Sequence, residues 1–112
     1  MANKHSRTLL CDDTPAASTA YNLSDSVLNY DYIEIIFVKY GGGGGAFVNR
    51  IVHHDSLAVG TQESLSFSSY NSSSYNFYAE LGFSQNNKLN ISTYRSTGWT
   101  MSKMYVVGIG KR

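Results

Sequence analysis

The sequence lacks the features that mark several large classes of protein. Cys11 is the one cysteine among 112 residues, so no disulfide can form within the chain and stability does not depend on an oxidising compartment. No run approaches the roughly 20 apolar residues that span a bilayer. The first residues also lack the apolar core of a secretion signal. If the protein acts outside a cell, we expect it to leave by another route, such as release of an assembled particle.

Charge is also scarce. Charged residues make up 15% of the chain and the net charge is +1, whereas soluble domains usually contain about 25% charged residues. No basic stripe is present, which excludes the phosphate-contacting surface that a nucleic-acid partner requires. Nine tyrosines and abundant serine and asparagine supply polarity instead. This composition is typical of recognition surfaces, and equally of β-rich domains, whose strands favour tyrosine and threonine.

The segment richest in aromatic and β-branched residues is 29–40, and it predicts a central β-strand. Ile33, Ile35 and Phe37 fall on one face at a period of two residues. The opposite face is apolar except for Glu34. We therefore expect that second face to meet a mixed surface, such as another subunit or a partly wet cleft.

Other alternating segments extend this pattern along the chain, and no segment has sustained helical periodicity. Further strands are predicted at residues 7–11, 16–23, 46–52, 75–83, 89–95 and 103–109. Residues 57–67 are predicted as one long strand or as two pieces bent at Gly60. Leu65 and Phe67 share one face, and Tyr105, Val107 and Ile109 share another. Loops are predicted at the glycine run 41–45, at 68–74 around Tyr70, and at 96–101 around Trp99. We predict an all-β, antiparallel, jelly-roll-like sandwich of about eight strands. We predict that residues 1–6 are a polar leader or a junction to a preceding segment, and that residues 7–112 form a single domain.

Two parts of the chain carry a resemblance to a known family. They are Thr8-Leu9-Leu10 before an Asp/Thr/Pro turn, with Leu23-Ser24 leading to Tyr30-Asp31-Tyr32-Ile33-Glu34-Ile35, and the ending Met104-Tyr105-Val106-Val107-Gly108-Ile109. This pattern resembles the C-terminal receptor-binding (head) domains of bacteriophage tail, baseplate and tail-fibre proteins. The resemblance implies a β-sandwich, a homotrimer, binding to host cell-surface saccharide, and a place in the virion beside other tail or baseplate proteins. It supplies no catalytic or ligand motif.

His53-His54-Asp55 is the only cluster of metal-ligand or acid–base residue types. Adjacent residues of a strand point to opposite faces, so we expect only His53 and Asp55 to project together. Two ligands make an incomplete zinc site, and we predict neither a metal nor another cofactor. These residues suit hydrogen bonding to a glycan, or a structural role.

The remaining chemistry-bearing residues do not predict an enzyme. No two carboxylates are marked as facing each other across a cleft. Cys11 lies in an apolar strand, where cysteine is usually a buried structural residue. We therefore predict no catalytic residues.

A saccharide site is the better candidate, because sugars stack apolar C–H faces on aromatic rings and pair their hydroxyls with polar groups. The candidate residues are Trp99, Tyr70, Asn71, Tyr75, His53, Asp55, Arg50 and Arg95. Trp99 stands in a predicted Ser/Thr/Gly loop, which favours exposure, although a loop tryptophan is equally a core plug or subunit contact. The first hypothesis is a non-enzymatic phage adhesion domain. The alternatives are a structural virion module that contacts other proteins and, third, a glycan-degrading enzyme.

Overall fold

The computed structural model describes residues 6–39, 47–60 and 65–112, and this part of the chain forms two antiparallel sheets of four strands each. The strands are β1 (Arg7–Asp13), β2 (Thr19–Asn22), β3 (Tyr30–Lys39), β4 (Val48–His53), β5 (Leu65–Ser72), β6 (Tyr75–Gln85), β7 (Lys88–Thr97) and β8 (Met101–Lys111). The predicted all-β sandwich of eight strands is confirmed. The glycine run and all but the last residue of the polar leader lie outside the described residues.

The helical segments in these ranges are two short 3₁₀ turns, η1 (Val27–Asn29) and η2 (His54–Ser56). Neither is long and apolar enough to cross a membrane.

Each of the first two strands pairs with one of the last two strands. The first sheet has the order β1-β8-β3-β4 and the second has β2-β7-β6-β5. Within their sheets β1 therefore pairs only with β8, and β2 only with β7. β8 also pairs with β3, and the other pairs are hairpins of consecutive strands: β3 with β4, β5 with β6, and β6 with β7. The turn between β6 and β7 holds two residues, Asn86 and Asn87.

The core lies between the sheets and follows the alternation in the sequence. Ile33, Ile35 and Phe37 of β3 are at most 1% exposed. Phe77 and the alternate residues of β6 that follow it face them from the second sheet, and the Phe37 and Phe77 ring centres are 5.1 Å apart. Tyr75 departs from this pattern because it is 45% exposed. It precedes the packed part of β6.

The outward side of the first sheet is unusually apolar. Its members, which we call the apolar outer face, surround the buried carboxylate of Glu34 and are Leu9, Tyr32, Ile36, Ile51, Tyr105, Val107 and Ile109. Leu9 is 52% exposed and Ile51 is 53% exposed. The predicted common face of Tyr105, Val107 and Ile109 is thus found on the outside, while Met104 and Val106 fill the core.

Three predicted element boundaries are wrong. The segment 57–67 is not continuous strand: Leu57 directly follows η2 and is buried as a plug, and the strand starts at Leu65. The segment 68–74 is not a loop, because β5 runs to Ser72 and leaves only a two-residue turn. The predicted strand 16–23 is reduced to β2, Thr19–Asn22.

Candidate functional site

The outward side of the second sheet carries tyrosine, hydroxyl, amide and guanidinium groups in register. Ser68 of β5 lies opposite Tyr78 of β6, which in turn lies opposite Arg95 of β7. One step along, Tyr70 of β5 lies opposite Asn76 of β6. These five residues point away from the core because their neighbours Phe67, Phe77 and Ala79 point into it. We call them the tyrosine face.

The tyrosine face forms one side of an open depression of about 440 Å³, within the roughly 300–1,000 Å³ typical of small-ligand sites. The lining residues are Ser68, Ser69, Tyr70, Ser73, Asn76, Phe77, Tyr78 and Arg95. Two of the predicted site residues, Tyr70 and Arg95, therefore meet here. Asn71 follows Tyr70 at an irregularity of β5 and is exposed beside it.

Tyr70 and Tyr78 differ in how firmly they are held. The Tyr70 side chain is 76% exposed. The guanidinium carbon of Arg95 lies 5.4 Å from the centre of the Tyr78 ring, a cation–π contact. A hydrogen bond with Glu80, above all, raises the pKa of the Tyr78 hydroxyl. The Tyr78 hydroxyl therefore stays neutral and its ring is held by contacts, whereas the neighbouring Tyr70 ring is exposed to solvent.

The turn below the depression is braced by Asn76. Its amide nitrogen donates to the backbone carbonyl oxygens of Ser72 at 3.2 Å and Ser73 at 3.3 Å. These bonds hold the β5–β6 turn against the start of β6. Asn76, Tyr78 and Ser68 are not among the site residues predicted from the sequence. Their outward positions on a clearly alternating strand pair are the signal that would have found them.

Trp99 is not the exposed loop residue that the sequence favoured. It is half-buried, with its ring centre 4.8 Å from that of Phe47 and 5.9 Å from that of Tyr75. The Lys39 ammonium lies 5.1 Å from the centre of the same indole. Because β7 continues to Thr97, the loop is only three residues long and turns the indole inward. The Trp99 and Tyr75 side chains thus pack together at one end of the sandwich. Tyr75 directly precedes Asn76 of the tyrosine face along β6.

The other three predicted site residues lie elsewhere. Arg50 is on β4 and donates to the Ser66 carbonyl oxygen at 3.5 Å, across the gap between the two sheets. His53 ends β4, and Asp55 lies in η2. The prediction that His54 would point away from them is wrong, because the strand stops at His53. The rings of His53 and His54 are instead 4.2 Å apart.

Several groups of nucleophilic or acid–base type are buried or committed to other contacts. Burial, with smaller contributions from Asp13 and Asp12, raises the pKa of the Cys11 thiol, and this disfavours the reactive thiolate. The carboxylate of Glu34 pairs with Arg7, and that of Asp25 pairs with Lys111.

A comparison with models of known protein families finds no match, and a comparison with curated protein sequences finds no significant match.

Proposed function

We propose that this chain is a non-catalytic adhesion domain of a phage tail, one that binds host cell-surface saccharide on the tyrosine face. The observation that carries the proposal is the exposed Tyr70 ring beside the Tyr78–Arg95 pair, in a depression lined by serine hydroxyls. The resemblance of the sequence to phage receptor-binding heads supplies the biological setting. A homotrimer on the virion, next to other tail or baseplate proteins, belongs to the same proposal.

The residues of the tyrosine face suit a sugar ring. An exposed tyrosine gives a flat apolar surface at a low cost in conformational entropy. Arg95 offers several N–H donors in a fixed fork, which suits hydroxyl groups and the phosphate groups of cell-wall polymers. Serine hydroxyls and the Asn71 amide both donate and accept, as sugar hydroxyls do. The site is open rather than enclosed, which fits a long polysaccharide better than a small free molecule.

The test is binding of the purified chain to a glycan array and to isolated bacterial cell walls. We expect Tyr70→Ala and Arg95→Ala each to weaken binding roughly tenfold, which corresponds to about 1.4 kcal/mol. Both side chains are exposed, so neither change should alter the fold. Far-UV circular dichroism checks that it does not.

Two matched variants serve as controls. Tyr32→Ala removes another exposed tyrosine, on the first sheet, and Arg50→Ala removes an exposed arginine away from the depression. Both should bind saccharide as the unaltered chain does. Equal binding by all four variants, or loss of binding in all four, would exclude the tyrosine face as the site.

One observation favours the structural virion module as a second candidate. The apolar outer face exposes Leu9 and Ile51 by more than half, and a surface of this kind marks contact with another protein. A chain that binds no glycan on an array or cell wall, yet associates with itself or with virion proteins, would support this candidate over the first.

A further inference from the structure

The end of β4 and the start of η2 bring three potential ligand atoms close together. His53, His54 and Asp55 each offer a ligand atom, and these atoms all lie within 4.8 Å of one another. We call this group the histidine cluster. It lies at the first sheet, apart from the tyrosine face, so nothing in the saccharide proposal uses it.

The tautomer of His54 is set by its surroundings. Its Nδ1 lies 3.3 Å from the backbone carbonyl oxygen of Asp31, and a carbonyl oxygen can only accept. Nδ1 therefore carries the proton, and Nε2 carries a lone pair. A backbone carbonyl that fixes the imidazole in this way is the usual second partner of a metal-binding histidine.

The lone pair of His54 faces another acceptor. Nε2 lies 3.1 Å from Oδ1 of Asp55, while Oδ2 of the same carboxylate lies 3.7 Å from Nδ1 of His53. That Nδ1 also accepts from the Asp55 amide nitrogen at 3.2 Å. The Asp55 carboxylate thus lies next to the lone pairs of both imidazole rings. These electron-rich groups repel one another unless a cation lies between them.

Arg112 supplies a cation at this point. Its Nη1 lies 2.8 Å from Nε2 of His54 and 3.1 Å from the Leu28 carbonyl oxygen. Arg112 is exposed, so the guanidinium can swing out into water at little cost. Since it contacts the same lone pair that a metal would use, the two must compete.

We infer that the histidine cluster is a binding site for a divalent transition metal of the zinc class, with Arg112 occupying the ligand atom of His54 when the metal is absent. Two ligands that bind zinc at about 2.0–2.1 Å in tetrahedral geometry stand roughly 3.3 Å apart. The two nitrogen–oxygen distances in the cluster lie close to this value. Imidazole nitrogens favour zinc, nickel and copper over magnesium or calcium, which prefer oxygen ligands. Three protein ligands leave a coordination position for water.

The test is a titration of the full chain with Zn²⁺, followed by calorimetry and by the imidazole signals in NMR spectra. We expect one ion per chain, shifts confined to the His53 and His54 rings, and no response to Mg²⁺. His53→Asn and His54→Asn should each weaken binding at least tenfold, since loss of an outer partner alone typically costs about 10- to 100-fold. Arg112→Gln should tighten binding, because it removes both the competitor and its charge.

The control is His5→Asn, which changes the third histidine of the sequence and should leave binding unaltered. If a histidine variant is poorly folded by circular dichroism, the imidazole shifts of the unaltered chain decide alone. Absence of Zn²⁺ binding, shifts confined to His5, or weaker binding in Arg112→Gln would each overturn the inference.

Discussion

Glu34 interrupts an apolar strand face in the sequence, and the fold buries it. It faces outward on β3, yet it is 6% exposed because the apolar outer face surrounds it. Its carboxylate pairs with Arg7 and accepts a hydrogen bond from the Asn49 amide at 2.7 Å. Burying a carboxylate without such partners would cost several kcal/mol, and the two contacts offset this cost.

The pairing of Glu34 with Arg7 leads to a prediction about stability. Arg7→Leu leaves the buried carboxylate with Asn49 alone, and should lower the free energy of unfolding by about 1–3 kcal/mol, since Arg7 is itself half-exposed. The double variant Arg7→Leu/Glu34→Leu should be more stable than Arg7→Leu, because no charge remains to be buried. Urea unfolding of the unaltered chain, of the single variants Arg7→Leu and Glu34→Leu, and of the double variant measures this. Additive effects of the two substitutions would contradict the pairing.

At this scale the sequence indicated that Glu34 was unusual, but not why. The interruption of an apolar face at one position was visible from alternation alone. Its partner Arg7 lies 27 residues earlier, and the two meet only because β8 stands between β1 and β3. The tyrosine face was missed in part for the same reason. Tyr70 and Arg95 could be chosen by residue type, whereas Asn76 and Tyr78 gain significance only from strand pairing.

Among the elements, the connection between β2 and β3 is the one most clearly tied down by polar contacts. Its backbone bonds to the β6–β7 turn, with Leu23 N donating to Asn87 O at 2.8 Å and Val27 N to Asn86 O at 2.7 Å. Since the connection passes from one sheet to the other, these bonds fix how the sheets are joined.

Asp25 ties the same connection to β8. Its carboxylate pairs with Lys111 at 2.5 Å and accepts from the Tyr30 hydroxyl at 3.0 Å. Lys111 first, then the Ser26 amide and the side chains of Asn29 and Tyr30, hold the pKa of the Asp25 carboxyl far below its ordinary value. The folded chain therefore binds a proton at Asp25 less readily than the unfolded chain does, in which an aspartate has a pKa of about 3.9.

The depressed pKa of Asp25 predicts a specific dependence of stability on pH. Its contribution is fully present above the unfolded-state pKa and is lost as the pH falls below it toward the folded-state value. Asp25→Asn should thus be less stable than the unaltered chain at pH 7, and this difference should shrink as the pH falls below about 4. Urea unfolding at several pH values measures it, with Asp13→Asn as the exposed control. A difference that does not change with pH would contradict the assignment.

Element types were readable from the sequence wherever apolar residues alternate, as in β3 and β6. Boundaries failed where the residues of an exposed strand face resemble those of a turn. The serines and asparagine of segment 68–74 occupy the end of β5 and the following turn, and composition does not separate the two. The placement of His54 failed because alternation was extended one residue past the end of a strand.

At the scale of the whole molecule, the apolar outer face bears on how many chains assemble. A single chain leaves Leu9, Tyr32 and Ile51 about half exposed, and a homotrimer would cover these residues. Light scattering after size exclusion should then give three times the chain mass of 12.4 kDa. Ile51→Asp should reduce this to one chain, because it would place a charge in the interface.

The control for this measurement is Tyr70→Ala, an exposed position on the other sheet, which should leave the mass unchanged. A single-chain mass for the unaltered protein at micromolar concentration would exclude the trimer.

The sequence pattern indicated two layers and an apolar flank left uncovered by the chain itself. It did not provide the strand order, because the pairings of β1 with β8 and β2 with β7 join segments from opposite ends of the domain.

Those two pairings also govern how the domain can form in time. In the described part of the chain, the strands that pair with β1 and β2 are the last two, β8 and β7, so neither can dock stably until nearly the whole domain has left the ribosome. The hairpins β3–β4 and β5–β6–β7 can form early, because their contacts are local. Closing the long chain loops then limits the rate, and refolding from urea should be slow, on the millisecond-to-second scale of all-β sandwiches.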